Sequence, residues 1–268
     1  MTQQSFLADK LRSGTPVITA WTLLSAPMVP ELLARAGYEA VTLDVQHGMF
    51  DFETTVESLA AIALGGAHRI ARIPVGDNAL AGRFVDMGAE CIIAPMINSK
   101  KEAEEFARAI KYPPVGERSW SPFRAAMLSG QTSDQYLKNA NSQTLSLAMI
   151  ETQDAIDALD DILSVPELDG VFVGPSDLSL SLSKGTALDP NGVGTATICA
   201  DIARRTRAAG KIAGIFCLNA EKVEEGINQG FQLLSHGIDT IFLDHAARAA
   251  LKEVEAVVAS PKTPGVSY

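Results

Sequence analysis

Short apolar runs alternate along the chain with longer segments whose apolar residues recur at helical spacing. The runs are Pro16 to Trp21, Ala40 to Val45, Arg69 to Ile73, Cys91 to Met96, Leu145 to Ile150, Gly170 to Val173, Ile212 to Cys217 and a weaker one at Gln232 to Ser235. Strands covered on both faces read this way, as near-continuous apolar stretches. Helical patterns lie between them, over Pro30 to Ala36, Glu53 to Leu64, Lys100 to Ile110, Thr195 to Ala208 and Ala220 to Asn228. Gly37, Gly65, Gly210 and Gly230 stand where those helices should stop. Eight strand-then-helix units predict an α/β fold, a (β/α)8 barrel. A doubly wound open sheet uses the same alternation, and the strand number favours the barrel.

One interval breaks the rhythm. The fourth and fifth runs are separated by about twice the usual spacing, with Tyr112-Pro113-Pro114-Val115-Gly116-Glu117-Arg118-Ser119 and a helical piece over Ser133 to Asn139 inside it. This predicts an elaborated loop, since no composition shift, charge block or repeat divides the chain; residues 1–268 are expected to form one barrel domain. A last helix over Thr240 to Val258 precedes a tail containing proline and glycine, expected to be mobile or packed on a neighbour.

Composition narrows the function. The chain has 268 residues, 47% hydrophobic, and its 22 Lys+Arg against 32 Asp+Glu leave a net charge of -10. An acidic surface repels phosphate backbones and anionic lipid head groups, so neither nucleic acid nor membrane is expected as a partner. There is no long apolar stretch and no signal-peptide pattern at Met1-Thr2-Gln3-Gln4-Ser5, which predicts a cytoplasmic protein. Cys91, Cys199 and Cys217 are far apart, form no CxxC pair and read as reduced core thiols.

In a barrel, catalytic groups come from the C-terminal ends of strands and the loops after them. The polar residues there are Asp44 and His47 after the second run, Arg72 at the third, Glu151 after the fifth and Asp177 after the sixth. Glu151 and Asp177 would stand on adjacent strands, where two carboxylates repel unless they share a proton or a cation; each could instead cap the helix that follows. Arg72 lies within an apolar strand and needs an anionic partner, either a ligand carboxylate or Asp44 or Asp77. His47, three residues past Asp44, suits a general base, although a lone loop histidine is more often structural. Gly174-Pro175-Ser176 offers main-chain N–H groups to an anion. Nucleotide-binding motifs are absent, and no lysine sits well for a Schiff base, Lys184 being the one with any reach inward.

Several motifs in order resemble one family, the metal-dependent 2-oxo acid aldolases of the HpcH/HpaI aldolase/citrate lyase type, whose barrels are of the phosphoenolpyruvate/pyruvate kind. They are Glu31-Leu32-Leu33-Ala34-Arg35-Ala36-Gly37-Tyr38 leading to Leu43-Asp44-Val45-Gln46-His47-Gly48, Ala71-Arg72-Ile73-Pro74, Asp86-Met87-Gly88-Ala89 with Ala94-Pro95-Met96, the segment Tyr112 to Ser119, Ile150-Glu151-Thr152 and Gly174-Pro175-Ser176-Asp177-Leu178-Ser179. The resemblance implies a divalent cation, Mg2+ or Mn2+ with Co2+ or others open, held by Glu151 and Asp177. It implies that Arg72 holds the oxo acid, that His47 is the acid/base beside a water of the metal site, and that Asp44 and Asp86 set its charge, Asp86 from the same or a neighbouring subunit. It also implies a homohexamer, a trimer of dimers with the final helix exchanged. The activity implied is reversible cleavage of 4-hydroxy-2-oxo acids to pyruvate, or hydroxypyruvate, and an aldehyde.

Gln46 stands where many members carry Glu, and Met149 where some carry a polar residue, so substrate or base strength should differ from the dicarboxylate-processing members. Trp21 and Phe216 are expected in the pocket wall, or else as ordinary core aromatics. Two other readings compete with this one. A carbon-carbon lyase or decarboxylase acting on a CoA thioester would need a basic groove, for which the chain offers only Arg118 and Arg124. A non-catalytic barrel that senses an oxo acid would bind without turnover.

Overall fold

In the computed structural model, which describes residues 5–259, eight parallel strands close in sequence order into a barrel. The strands are β1 (Val17–Thr22), β2 (Ala40–Asp44), β3 (His68–Arg72), β4 (Cys91–Ala94), β5 (Leu145–Ile150), β6 (Gly170–Val173), β7 (Ile212–Ile215) and β8 (Leu233–Ile238). The helices are α1 (Leu7–Arg12), α2 (Met28–Arg35), α3 (Phe52–Gly65), α4 (Asn78–Asp86), α5 (Lys100–Ile110), α6 (Phe123–Leu128) and α7 (Ser133–Gln143). They continue as α8 (Gln153–Asp157), α9 (Leu159–Leu163), α10 (Pro175–Leu182), α11 (Val193–Ala208), α12 (Ala220–Gln229) and α13 (Asp239–Ala259). The predicted barrel is therefore the observed one, and each apolar run became a strand. The tail beyond α13 lies outside the described residues.

The apolar surface is used twice. One cluster fills the space between strands and helices, including Leu59, Ile62, Phe84, Phe106 and Ile202. The other fills the barrel itself, where Ile70, Ile93, Leu147 and Phe172 meet. Helix α1 closes the N-terminal end: Leu7 and Leu11 are fully buried against the barrel interior. The three cysteines are free and buried, as expected of core thiols.

Several boundaries differ from the sequence reading, three of them with a clear local cause. Helix α3 runs through Gly65 to a C-cap at Gly66, which takes the left-handed conformation (φ 86°); Gly65 is itself helical, and glycine fits there because a Cβ would lie 2.5 Å from the Ala34 Cβ. Strand β8 runs on through His236 and Gly237, whose polar and φ-positive character (φ 68° at Gly237) disguised it as a turn. Strand β4 stops at Ala94, short of Met96, which itself adopts φ 57°. The long interval after β4 holds α5, α6 and α7, so the elaborated loop is largely helical.

Helix α13 is anchored at its start by Asp239, whose carboxylate accepts the main-chain N–H groups of Leu23, Leu24 and Thr240. Along its length Leu243, Leu251, Val254, Val257 and Val258 are exposed. No helix among the described residues is long and apolar enough to cross a membrane.

Candidate active site

Register brings the polar strand ends together. Asp44 and Arg72 are the last residues of β2 and β3 and pair directly across the sheet. Arg72 donates from Nε to Asp44 Oδ1 at 2.9 Å and from Nη2 to Oδ2 at 2.5 Å, a two-pronged pair with both side chains buried. Fork-to-carboxylate geometry of this kind fixes the guanidinium plane. Trp21 of β1 adds an Nε1 donor to Asp44 Oδ2 at 3.1 Å and lies under the guanidinium, 5.0 Å from its ring centroid to Arg72 Cζ. No described residue accepts from Arg72 Nη1. The in-chain partner of Arg72 is thus Asp44, not Asp77, which caps α4.

Asp44 also accepts from the main-chain N–H groups of Gln46 and His47, each at 3.1 Å, and its carbonyl accepts from Gly48 N. A Cβ on Gly48 would come within 2.3 Å of that carbonyl, so the turn closes only with glycine there. Asp44 therefore holds His47 through its main chain and not through the imidazole. The His47 side chain projects at the exposed mouth of the barrel.

On the opposite side, Ile150 pairs with Val173, which sets Glu151 beside Gly174. Glu151 is buried, and its Oε1 accepts from Met96 N at 2.7 Å, tying the left-handed Met96 to the site. A Cβ on Gly174 would stand 2.8 Å from Glu151 Oε2, so glycine makes room for the carboxylate. Burial raises the Glu151 pKa to about 7; Met96 N–H and Arg72 oppose the rise, and the neighbouring Asp177 charge adds to it. Asp177 is in the first turn of α10, which starts at Gly174-Pro175 with no side-chain cap. First-turn N–H groups have no intrahelical acceptor and favour an anion. Neither acid is the cap that the sequence allowed: Thr152 caps α8 through its hydroxyl, and Asp177 lies inside the first turn of α10.

These groups surround one cavity of about 250 Å3. Trp21, Asp44, His47, Arg72, Gly174, Pro175, Ser176, Asp177 and Phe216 line it, with Leu23, Met149 and Ile238, while Glu151 sits immediately behind Gly174. Trp21 and Phe216 meet edge to face, ring centroids 5.1 Å apart. Leu23 and Ile238 escaped the sequence reading, and Met96 entered it only as part of a motif, because apolar residues at strand ends carry no chemical signature. Asp86 lies elsewhere in this chain, at the end of α4, where Arg118 binds it through Nε and Nη2 at 2.9 and 2.8 Å. Arg118 is itself buried against Tyr112, with its Cζ 4.2 Å from the ring centroid, and Arg124 reaches Val56 O. Neither arginine forms a basic groove at the mouth. Lys184 is exposed beyond α10 and does not line the cavity.

A sequence model of the HpcH/HpaI aldolase/citrate lyase family matches residues 18–246. The chain belongs to that family. Its match spans the whole barrel, and membership makes it an enzyme of the carbon-carbon lyase class. It is similar to a hydroxypyruvate/pyruvate aldolase of Rhizorhabdus wittichii, 37% identical over 91% of this chain and 96% of that one. It is also similar to a 4-hydroxy-2-oxo-heptane-1,7-dioate aldolase of Shigella sonnei, 33% identical over 98% of this chain and 99% of that one. Among solved structures, a family protein from Burkholderia cenocepacia superposes with TM-score 0.84 at 29% identity, covering 93% of this chain and 98% of that chain.

Proposed function

We propose that the chain is a class II aldolase that uses a divalent cation, Mg2+ or Mn2+, to cleave 4-hydroxy-2-oxo acids reversibly into pyruvate or hydroxypyruvate and an aldehyde. The observation that carries this reading is the buried Glu151 carboxyl beside Asp177, facing an Arg72 already engaged by Asp44. Two carboxylates without a free cationic side chain suit a hard divalent ion. Among the described residues no group of three or more His, Cys, Asp and Glu side chains gathers, which favours an open site with positions left for substrate and water over a closed protein cage. Glu151 and Asp177 would hold the ion, and when bound it would supply Lewis-acid polarisation of the oxo group.

The protein groups have separable tasks. The first turn of α10 receives the substrate carboxylate through main-chain N–H groups. Arg72 presents Nη1 to the oxo oxygen, held in plane by Asp44, and stabilises negative charge developing there. His47 takes the proton of the 4-hydroxyl; the C3–C4 bond breaks, the aldehyde leaves, and its electron pair remains as the enolate of the oxo acid. A proton delivered to C3 then completes pyruvate, so no redox partner is needed.

The exposed apolar residues of α13 support a homo-oligomer, a hexamer in which this helix is exchanged between subunits. A neighbouring subunit would then bring its Asp86 towards the mouth, since in this chain Asp86 is away from the cavity. The deciding experiment is pyruvate release from a panel of 4-hydroxy-2-oxo acids, with EDTA and after Mg2+ or Mn2+ is restored. Loss and recovery of turnover is the expected result; turnover indifferent to EDTA would refute the cation's role.

A further inference from the structure

The cavity is divided by polarity. Asp44, His47, Arg72, Ser176 and Asp177 occupy the side formed by β2, β3 and α10. The side formed by β1, β7 and β8 presents only Trp21, Leu23, Phe216 and Ile238. An oxo acid held on the polar side therefore directs the aldehyde's tail against the apolar one.

We infer that this enzyme selects aldehydes with an uncharged, apolar tail, and that Leu23 and Ile238 set the choice; this rests on the aldolase reading above. Among the described residues Arg72 is the one Lys or Arg lining the cavity, and Asp44 already engages it. Immediately behind the apolar wall stands a fixed anion: Asp239 follows Ile238 in the chain, is buried, and binds Leu23 N and Leu24 N at 3.0 Å. Against that wall a terminal carboxylate on the aldehyde would lose its hydration, meet no cationic side chain and face that anion. An alkyl tail of the same length loses only its contact with water.

The test compares butanal with 4-oxobutanoate, four-carbon aldehydes that differ in a terminal carboxylate, as acceptors for pyruvate with Mg2+ or Mn2+ present. In this direction pyruvate loses a methyl proton, its C3 bonds to the aldehyde carbon, and the aldehyde oxygen gains a proton. The expected kcat/KM for butanal is higher by roughly 10²-fold, and Ile238→Lys or Leu23→Lys narrows the gap by improving 4-oxobutanoate. Deuterium exchange at the pyruvate methyl group is followed alongside. Equal or faster addition to 4-oxobutanoate overturns the inference and leaves the aldolase reading standing, as does exchange without addition to butanal. Absence of both exchange and addition overturns the aldolase reading and the inference with it. The wild-type comparison decides the matter even where a lysine variant fails to fold.

Discussion

Asp44 collects five donors: two from Arg72, one from Trp21 and the main-chain N–H groups of Gln46 and His47. It joins the turn that carries the proposed base to the guanidinium that receives substrate. Asp44→Asn leaves Arg72 buried without its counter-charge, and the expected loss is about 3 kcal/mol of unfolding free energy by urea titration. An unchanged midpoint would show that the pair contributes nothing net. His47→Ala should lower turnover by roughly 10²-fold and remove the basic-side group from the pH-rate profile; an unaltered profile would assign the proton transfer to another residue. Arg72 and Glu151 stood out in the sequence as charges within or beside apolar strands. The engagement of Arg72 by Asp44 did not, because cross-strand register decides it, and Asp77 is much nearer to Arg72 in the chain than Asp44 is.

At the scale of elements, glycine positions explain how close the layers come. Gly65 sits where α3 crosses α2, with the Ala34 side chain in the space a Cβ would take. Gly65→Ala should overpack this contact and cost about 1–3 kcal/mol in urea unfolding; a neutral effect would mean that the two helices separate freely. Gly66, one residue on, has open space around its absent Cβ but a left-handed backbone. From the sequence the two are indistinguishable stops, since the choice depends on which of them meets α2. The strands were legible for the opposite reason. Burial on both faces demands unbroken apolar runs, and only β8, interrupted by His236 and Gly237, read weakly.

Across the whole molecule two carboxyls give stability opposite pH dependences. Burial raises Glu151 from an ordinary 4.5 to about 7, so the unfolded chain binds fewer protons than the folded one between these values. Without cation, thermal stability should fall as pH rises from about 4.5 to 7, and Glu151→Gln should flatten that slope. Burial alone would raise Glu90 as well, but Arg69 and His68 hold it down to about 2. Its contribution is complete above pH 4.5 and is lost as pH falls towards 2. Calorimetry over pH 2 to 8 in EDTA, read at roughly unit intervals, checks both; a midpoint flat from 4.5 to 7 would refute the Glu151 assignment. Oligomeric state belongs to this scale too. Removal of α13 should reduce the particle mass in light scattering if the helix is exchanged between subunits, and an unchanged mass would refute the exchange.

The sequence by itself determined the barrel, through eight apolar runs of strand length separated by helices, and it marked the polar residues at strand ends from which a site can be built. Both are local properties: a strand's burial is written in its own residues, and a charge in an apolar context shows without a partner. Only the tertiary structure decided which charges meet. Parallel pairing sets Asp44 against Arg72, the absent Cβ of Gly174 admits Glu151, and Asp86 turns to Arg118 instead of the mouth. It also added Leu23 and Ile238 to Trp21 and Phe216 in one apolar wall at the ends of β1, β7 and β8. Such a wall has no sequence signature, because its selectivity lies in what is absent around it once distant strands are brought side by side.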